Sequence, residues 1–432
     1  MSYDNDYENI KSSLDEGRNI FLTGPGGVGK SYYINKIKDE LKDEIVLTST
    51  TGVSSYNLRA MTIHSFTGIG VFKVGDKVES VIKKMKKFSR TYEQIKTRVR
   101  KYSIIVIDEV SMLGKGFLEM INEILKIVRG NDRVFGGYQV IFTGDFMQLP
   151  PVNDNYCFYS DVWKELNFKV IQLTKLYRFN DDLYSSILSR VRLGKNTKDD
   201  NTELYKRYFA YKKYKDEIEN EEKEPGVKDV NYKDHKDIIK IRPTFLYSRK
   251  VSVNDKNMEE LELNPNELIV FKANYRDKHK MCKLDLDKLD NSLYLKIGAQ
   301  IMLTINFDID LGLVNGSRGV VTKYENSILY VKFMNEMEIG FSRNEYVFEE
   351  DGKVMYKMDQ FPFILAYALS IHKVQGCTLD YAIIDIGHSV FEENMSYVAL
   401  SRVRNLEGLF LANFQPYKIM PSKEALAFYE SL

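Results

Sequence analysis

Along the first 175 residues, short apolar runs alternate with stretches whose apolar positions recur every three to four residues. The runs Asn19–Thr23, Glu44–Thr50, Ile104–Ile107, Val140–Thr143 and Val170–Leu173 predict buried strands. Between two of them, Lys115–Arg129 places Phe117, Leu118, Ile121, Ile124, Leu125 and Val128 on one helical face. Strands that alternate with helices in this way predict a parallel sheet covered by helices, an α/β fold. A looser version returns late, at Ile364–Ile371, Tyr381–Ile386 and Leu409–Phe414. From about Pro265 to Phe361 the pattern changes to short runs such as LYLKIGAQIML, GVVTKY, ILYVKFM and EIGFS, broken by Gly, Asn and Asp. That stretch reads as a small all-β insert, a barrel.

Composition supports folded domains. At 432 residues the chain is long for one domain, and 44% hydrophobic residues can fill sizeable cores. It has no uninterrupted apolar run of about 18 residues, so no ordinary membrane-spanning helix is expected. The start, MSYDNDYENIK, lacks the basic and apolar segments of a secretory signal. Cys157, Cys282 and Cys377 are scattered without metal-ligand spacing, which fits a reducing intracellular setting. Net charge is +1, yet its distribution is uneven: Lys73–Lys101 is strongly basic, and DEIENEEKE at Asp216–Glu224 is strongly acidic. The acidic run reads as a solvated segment.

Chemistry concentrates at the ends of the predicted strands. Residues 24–31 read GPGGVGKS after the strand NIFLT and before a helix carrying Ile34, Ile37 and Leu41. This is the strand–loop–helix setting in which Gly24, Pro25, Gly26, Gly27, Val28 and Gly29 offer backbone N–H groups to phosphate oxygens. Lys30 reaches the terminal phosphates and Ser31 ligates Mg²⁺. Asp108 and Glu109 follow the strand IIVI, where one carboxylate can hold Mg²⁺ and its neighbour can activate water. After the strand VIFTG come Asp145 and Gln148, the latter placed to sense a γ-phosphate. Arg178 and Arg402 are candidates to stabilise charge on the transferred phosphoryl group.

Taken in order, these segments resemble a superfamily 1, group B DNA helicase of the PIF (petite integration frequency) type. GPGGVGKS is similar to its motif I, and STTGVSSYNLRAMTIHSFTGIG to its motif Ia with the following Thr-x-His. IIVIDEVSML resembles motif II, FLEMINEILKIVRGND the stretch peculiar to this family, and GGYQVIFTGDFMQLPPV motif III. LTKLYR, ALSIHKVQGCTLD and YVALSRVR are similar to motifs IV, V and VI, and GAQIMLTINFDIDLGLVNGSRGVV to the entrance of the family's inserted domain.

The resemblance implies two RecA-like P-loop domains. Residues 1–172 form the first, with a wedge element at about 69–101. Residues 173–265 and 362–432 form the second, and 266–361 an SH3-like β-barrel inserted in it. It implies ATP and Mg²⁺ as cofactors. Lys30, Glu109, Gln148, Arg178 and Arg402 are the implied catalytic set, Ser31 and Asp108 the metal ligands, and Tyr177 and Gly376 lie at the nucleotide. Thr51, His64, Phe66, His372, Lys373 and Thr378 would contact DNA, as charge, donors or stacking surfaces that do not read sequence. The basic stretch, including Lys83, Lys84, Lys86, Lys87 and Arg90, would lie at the duplex junction.

Two departures stand out. Family members read adenine with a glutamine upstream of motif I, whereas this chain has none before Gln94 and reads DYENIK there. Motif IV usually continues Arg-Gln, and here Phe179 follows Arg178. The segment from about Lys195 to Arg242 matches no pattern of the family. The expected activity is ATP-driven translocation on single-stranded DNA, 5′ to 3′, unwinding duplex DNA in replication, repair or recombination. The expected partners are single-stranded DNA, single/double-strand junctions, and replication or repair proteins. A monomer without membrane attachment is expected, in the nucleus or at a cytoplasmic replication site, viral ones included. The alternatives are an RNA-directed or protein-displacing translocase and a nucleotide-controlled binding module.

Overall fold

The computed structural model describes residues 5–51, 58, 60–70, 73–86, 89–177, 181–221, 242–276, 292–305, 307–308, 311–313, 316–350, 353–379 and 381–432. The chain divides into two compact units. The first comprises Met1–Leu193, Glu349–Lys353 and Pro421–Leu432, and the second Gly194–Phe348 and Val354–Met420.

The first unit is built on six strands: β1 (Ile20–Thr23), β2 (Ile45–Ser49), β3 (Met61–Thr62), β4 (Ile104–Asp108), β5 (Gln139–Gly144) and β6 (Lys169–Gln172). Their order is β3-β2-β4-β5-β1-β6, and every pairing is parallel. The four inner strands, β2, β4, β5 and β1, are mostly apolar and buried on both faces, whereas the edge strands β3 and β6 are partly exposed. Phe21, Ile105, Ile107, Val140 and Phe142 point to one face, where helices Val78–Lys86, Ser89–Lys101 and Lys115–Arg129 add Val81, Ile82, Met85, Ile95, Val99, Phe117 and Leu118. Ile20, Leu22, Ile104, Val106 and Ile141 point to the other, against helices Asn5–Asp15 and Lys30–Leu41. The period-two alternation of each strand thus feeds two separate cores. The helix predicted at Lys115–Arg129 forms over those residues and stops at Gly130, which takes φ 66° beyond its last turn.

Three corrections to the sequence-based domains follow. Helix Asp182–Arg192, expected in the second domain, belongs to the first unit. Helix Lys423–Glu430, expected in the second domain, belongs to the first unit: Ala425 is buried in that unit's core and Phe428 packs beside it. Its Phe428 ring stacks on Phe158 at 4.4 Å, so aromatic burial rather than chain proximity decides its place. The run Ile364–Ile371 is divided between two sheets. Phe363–Leu365 pairs antiparallel with Gln300–Leu303, while Ala368–Ser370 pairs parallel with Thr244–Tyr247. An unbroken apolar run gives no sign of this, because both halves are buried.

In the second unit, four parallel strands run in the order Ala368–Ser370, Thr244–Tyr247, Ala382–Ile386, Leu409–Phe414. Helix Lys198–Glu221, in the stretch without a family pattern, packs Tyr205 on Phe414 at 5.0 Å and Tyr214 on Phe410 at 5.2 Å. The predicted β insert is a five-stranded antiparallel sheet around Ile301, Leu303, Val321, Val331, Phe333 and Phe341. Among the described residues no helix is long and apolar enough to cross a membrane.

Candidate functional site

Parallel pairing aligns the carboxyl ends of β1, β4 and β5, since Thr23 lies opposite Gly144 and Ile107 opposite Phe142. The loops that leave these ends therefore emerge side by side, the usual place for a ligand in an open α/β sheet. Gly24 opens the first loop with φ 141°, and a Cβ there would stand 2.3 Å from Leu173 O, so only glycine fits. Gly29 caps the helix Lys30–Leu41 without a side-chain bond, leaving the helix N-terminus turned to the loop. Lys30 Nζ donates to Gly24 O at 2.6 Å and Pro25 O at 2.9 Å, folding its charge over the loop. Val28 has its side chain in the core, so its contribution to the loop is its backbone, as it is for buried Gly26 and half-buried Gly27. Ser31 is exposed at the first turn of the helix. Tyr177 N donates to Gly27 O at 2.9 Å, and its ring, 57% exposed, stands beside Gly29.

Asp108 ends β4 almost fully buried. Burial first, and then the neighbouring Glu109 charge, raises its carboxyl to about 7, against the opposing influence of Lys30. Glu109 takes φ 55° and ψ 48°, a left-handed conformation that is uncommon for a side chain of this size. Thr50 secures that corner by donating from Oγ1 to Glu109 O at 2.9 Å and from N to Asp108 O at 3.1 Å. At the end of β5, Gly144 lets the chain pass Val110 N, which a Cβ would approach to 2.8 Å. Gln148 follows, buried, with its N–H given to Asp145 O at 2.9 Å.

The donors here suit Mg²⁺: a hydroxyl and a carboxylate, both hard oxygen ligands, beside a phosphate loop. A buried carboxylate raised by desolvation and a like charge is a position that a divalent cation would relieve. Among the described residues no three His, Cys, Asp or Glu side chains form a metal-holding group.

The other expected site residues lie in varied surroundings. Thr51 is half-buried just after β2, its N–H 3.4 Å from Ser49 Oγ. His64 stacks on Phe117 at 4.3 Å, and burial lowers its pKa, so it is a neutral group rather than a cation for phosphate. Phe66 requires a correction. It sits in helix Ile63–Thr67 rather than in a loop, is 0% exposed, and offers no face to a base. Its 3.6-residue register with Ile63 and Thr67 turns it into the core, while Arg98 caps the helix end through Ser65 O and Phe66 O.

In the second unit, His372 Nε2 lies 3.1 Å from Glu392 Oε2. Thr378 is exposed, and Lys373 is exposed over much of its surface while its ammonium lies where water is partly excluded, which with the Lys250 charge lowers its pKa. Gly376 turns the chain with φ 81°. Arg402 is 1% exposed, and its guanidinium donates to Val398 O at 2.8 Å, Cys377 O at 3.2 Å and Ser401 Oγ at 2.6 Å. Arg178 lies outside the described residues.

Sequence reasoning missed the surroundings of Asp145. Its carboxylate is gripped by Arg192 and by the hydroxyl of Tyr429, far along the chain. No local pattern announces either residue.

A glycine-rich loop between strand and helix, with an acidic pair and a buried glutamine on the next strand ends, defines a P-loop nucleotide-binding protein. The chain belongs to the PIF1-like helicase family. Residues 4–202 match that family, and residues 288–324 match the 2B domain of DNA helicase Pif1. Over 425 residues it is 31% identical to the ATP-dependent DNA helicase Pif1 of Bdellovibrio bacteriovorus, covering 96% of this chain and 89% of that protein. It is 32% identical to ATP-dependent DNA helicase PIF1 of Xenopus laevis over 98% of its own length but 63% of the frog protein's. The crystal structure of Pif1 helicase from Candida albicans superposes with a TM-score of 0.83 at 28% identity, covering 100% of this chain and 99% of that one. Pif1 from Bacteroides, solved with ADP-AlF3 and single-stranded DNA, gives 0.74 at 26% identity, covering 100% and 97%.

Proposed function

We propose that this chain is an ATP-dependent DNA helicase that translocates 5′ to 3′ on single-stranded DNA and unwinds duplex DNA in replication, repair or recombination. The observation that carries the reading is the meeting of Lys30, Asp108, Glu109 and Gln148 at the aligned ends of β1, β4 and β5. The Candida and Bacteroides likenesses, the latter solved with a nucleotide analogue and single-stranded DNA, support it.

In this reading the loop's backbone N–H groups hold the phosphates of ATP, and Lys30 leaves Gly24 O and Pro25 O to meet the terminal ones. Ser31 and Asp108 would hold Mg²⁺, which would supply positive charge to the phosphoryl oxygens. Glu109, fixed by its left-handed backbone, accepts the proton of the attacking water, and Gln148 orients that water and registers the γ-phosphate. Arg178 and Arg402 supply positive charge to the transferred group. Tyr177 lies along the nucleotide base, and Gly376 completes the site. Residues 1–172, 173–265 with 362–432, and 266–361 act as first motor domain, second motor domain and insert, except that helix Asp182–Arg192 and the C-terminal helix belong with the first unit and strand Phe363–Leu365 with the insert's sheet. Thr51, His372, Lys373 and Thr378 hold the strand, His64 takes part as a neutral donor, and the wedge at 69–101 meets the junction. The working form is a monomer. Each step has only to open a base pair, against stacking of about 1.4 kcal/mol.

The test is hydrolysis and unwinding by Lys30→Ala, assayed with duplexes carrying a 5′ or a 3′ single-stranded tail. DNA-stimulated turnover is expected to fall by about 10²-fold or more while the protein stays folded. The unaltered chain is expected to open the 5′-tailed duplex alone. Undiminished turnover in the variant would refute the role of the loop, and unwinding of only the 3′-tailed duplex would refute the polarity.

A further inference from the structure

A buried polar cluster joins the phosphate loop, the glutamine turn and the C-terminal helix. Asp145 directly follows β5 and has no exposed surface. Arg192, the last residue of helix Asp182–Arg192, binds it with both forks: Nε to Oδ2 at 3.0 Å and Nη2 to Oδ1 at 2.7 Å. Tyr429 donates its hydroxyl hydrogen to Asp145 Oδ1 at 3.2 Å, accepts from Phe146 N at 3.1 Å, and lies 2.7 Å from Thr23 Oγ1. The Arg192 guanidinium stands 5.1 Å from the centre of the Tyr429 ring.

Each end of the cluster touches the nucleotide site through one residue. Thr23 is the last residue of β1, immediately before Gly24. Asp145 accepts from Met147 N at 3.1 Å with its side chain and from Gln148 N at 2.9 Å with its carbonyl, so it shapes the turn that presents Gln148. A core that needed only cohesion would fill this position with apolar groups at no loss, because burying an ion pair is at best a weak source of stability. What the charges and the phenol add is direction: fixed donors and acceptors that pin two loop roots in one geometry.

We propose that Arg192 and Tyr429 are positioning residues for nucleotide hydrolysis, holding the Gln148 turn through Asp145 and the root of the phosphate loop through Thr23. The inference rests on the ATPase reading above and adds a consequence. A triphosphate drawn against Gln148 and Lys30 pulls on helix Asp182–Arg192 and helix Lys423–Glu430. These helices lie where the first long stretch of unit one ends, at Leu193, and where its last stretch begins, at Pro421. The cluster thereby ties the state of the nucleotide to two points at which the chain passes between the units.

The molecule carries its own reporter. Its one tryptophan, Trp163, lies 5.6 Å from Phe146 and 5.7 Å from Phe428, the neighbours of the cluster. The experiment compares the full chain with Tyr429→Phe, which keeps the ring packing, and with Thr23→Val, which removes only the other hydroxyl. Two quantities are read: kcat and KM for ATP with saturating oligo-dT, and Trp163 emission on adding a non-hydrolysable ATP analogue without DNA. In Tyr429→Phe we expect kcat to fall about tenfold, some 1.4 kcal/mol, with KM within twofold. The emission response should fall to less than half, and Thr23→Val should follow in the same direction.

A kcat within twofold of wild type in both variants overturns the proposal. So does a KM that rises as kcat falls, or wild-type emission that ignores the analogue. If the unaltered chain hydrolyses no ATP, the parent reading fails and this one with it, a result distinct from the others.

Discussion

At Asp145 a carboxylate with no exposed surface survives as an ion because Arg192 answers it with two hydrogen bonds. Burial alone would raise its pKa, but the Arg192 guanidinium, with the Lys30 charge and the Met147 N–H, outweighs burial and the net shift is downward. Arg192→Met strands that charge, and a broken buried pair costs about 3–5 kcal/mol. Urea unfolding of the variant is expected to show a loss of that size, and a loss below 1 kcal/mol would mean that water reaches Asp145. His64 presents the opposite electrostatic case. Burial against Phe117 holds its pKa below the ordinary 6.5, so below that pH the unfolded chain takes up a proton that the folded one does not. Its contribution to stability is therefore whole above pH 6.5 and declines as the pH falls toward the folded pKa. Between pH 7.5 and 5.5 the urea midpoint of wild type is expected to drop further than that of His64→Leu. Parallel drops would show that His64 titrates as it does in water.

Among the elements, helix Lys423–Glu430 has the least local reason to be where it is. Ser422 caps it by accepting from Ala425 N, yet its hydrophobic face is short, and its place is decided by Phe428 meeting Phe146, Phe158 and Trp163 at 4.4–5.7 Å. Phe428→Ala removes that face. The expected cost is about 3 kcal/mol, toward the low end for a core aromatic because Phe428 is only partly buried. Trp163 emission should shift to the red as water enters, and unchanged emission would detach the helix from the cluster. This helix also marks the limit of what the sequence discloses. Strands β1, β4 and β5, the loop at Gly24–Ser31 and the helix Lys115–Arg129 could be read directly, because each has a period or a phosphate-binding pattern of its own. Phe66 could not be read correctly, since TIHSF looks the same in a loop as in a single helical turn whose fourth residue faces inward. Tyr429 and Arg192 lacked any local signal. Their meaning arises only when residues hundreds of positions apart close on Asp145.

For the whole molecule, 62 basic residues against 61 acidic ones leave almost no net attraction for a polyanion, so affinity must come from where the charges are placed. Helix Val78–Lys86 shows how packing places them: Val81, Ile82 and Met85 are buried in the core, which leaves Lys83, Lys84 and Lys86 on the exposed side. If this face meets the duplex arm of a fork, each lysine releases a counterion when it binds, and log K falls with log salt by about 0.9 per phosphate neutralised. The triple substitution Lys83→Glu, Lys84→Glu and Lys86→Glu is then expected to weaken binding to forked DNA and to reduce the salt slope by about 2.7. ATP hydrolysis stimulated by oligo-dT, which offers no duplex, should stay within twofold of wild type. A fall in that stimulated hydrolysis would move the helix onto the single-strand track. Unchanged binding and slope would leave these lysines as a solvated face whose charge serves only solubility. The core contacts of Val81, Ile82 and Met85 are untouched by the substitutions, but three glutamates in the last turn oppose the helix dipole, so an unchanged circular-dichroism spectrum and urea midpoint are required before either result is read as a DNA contact.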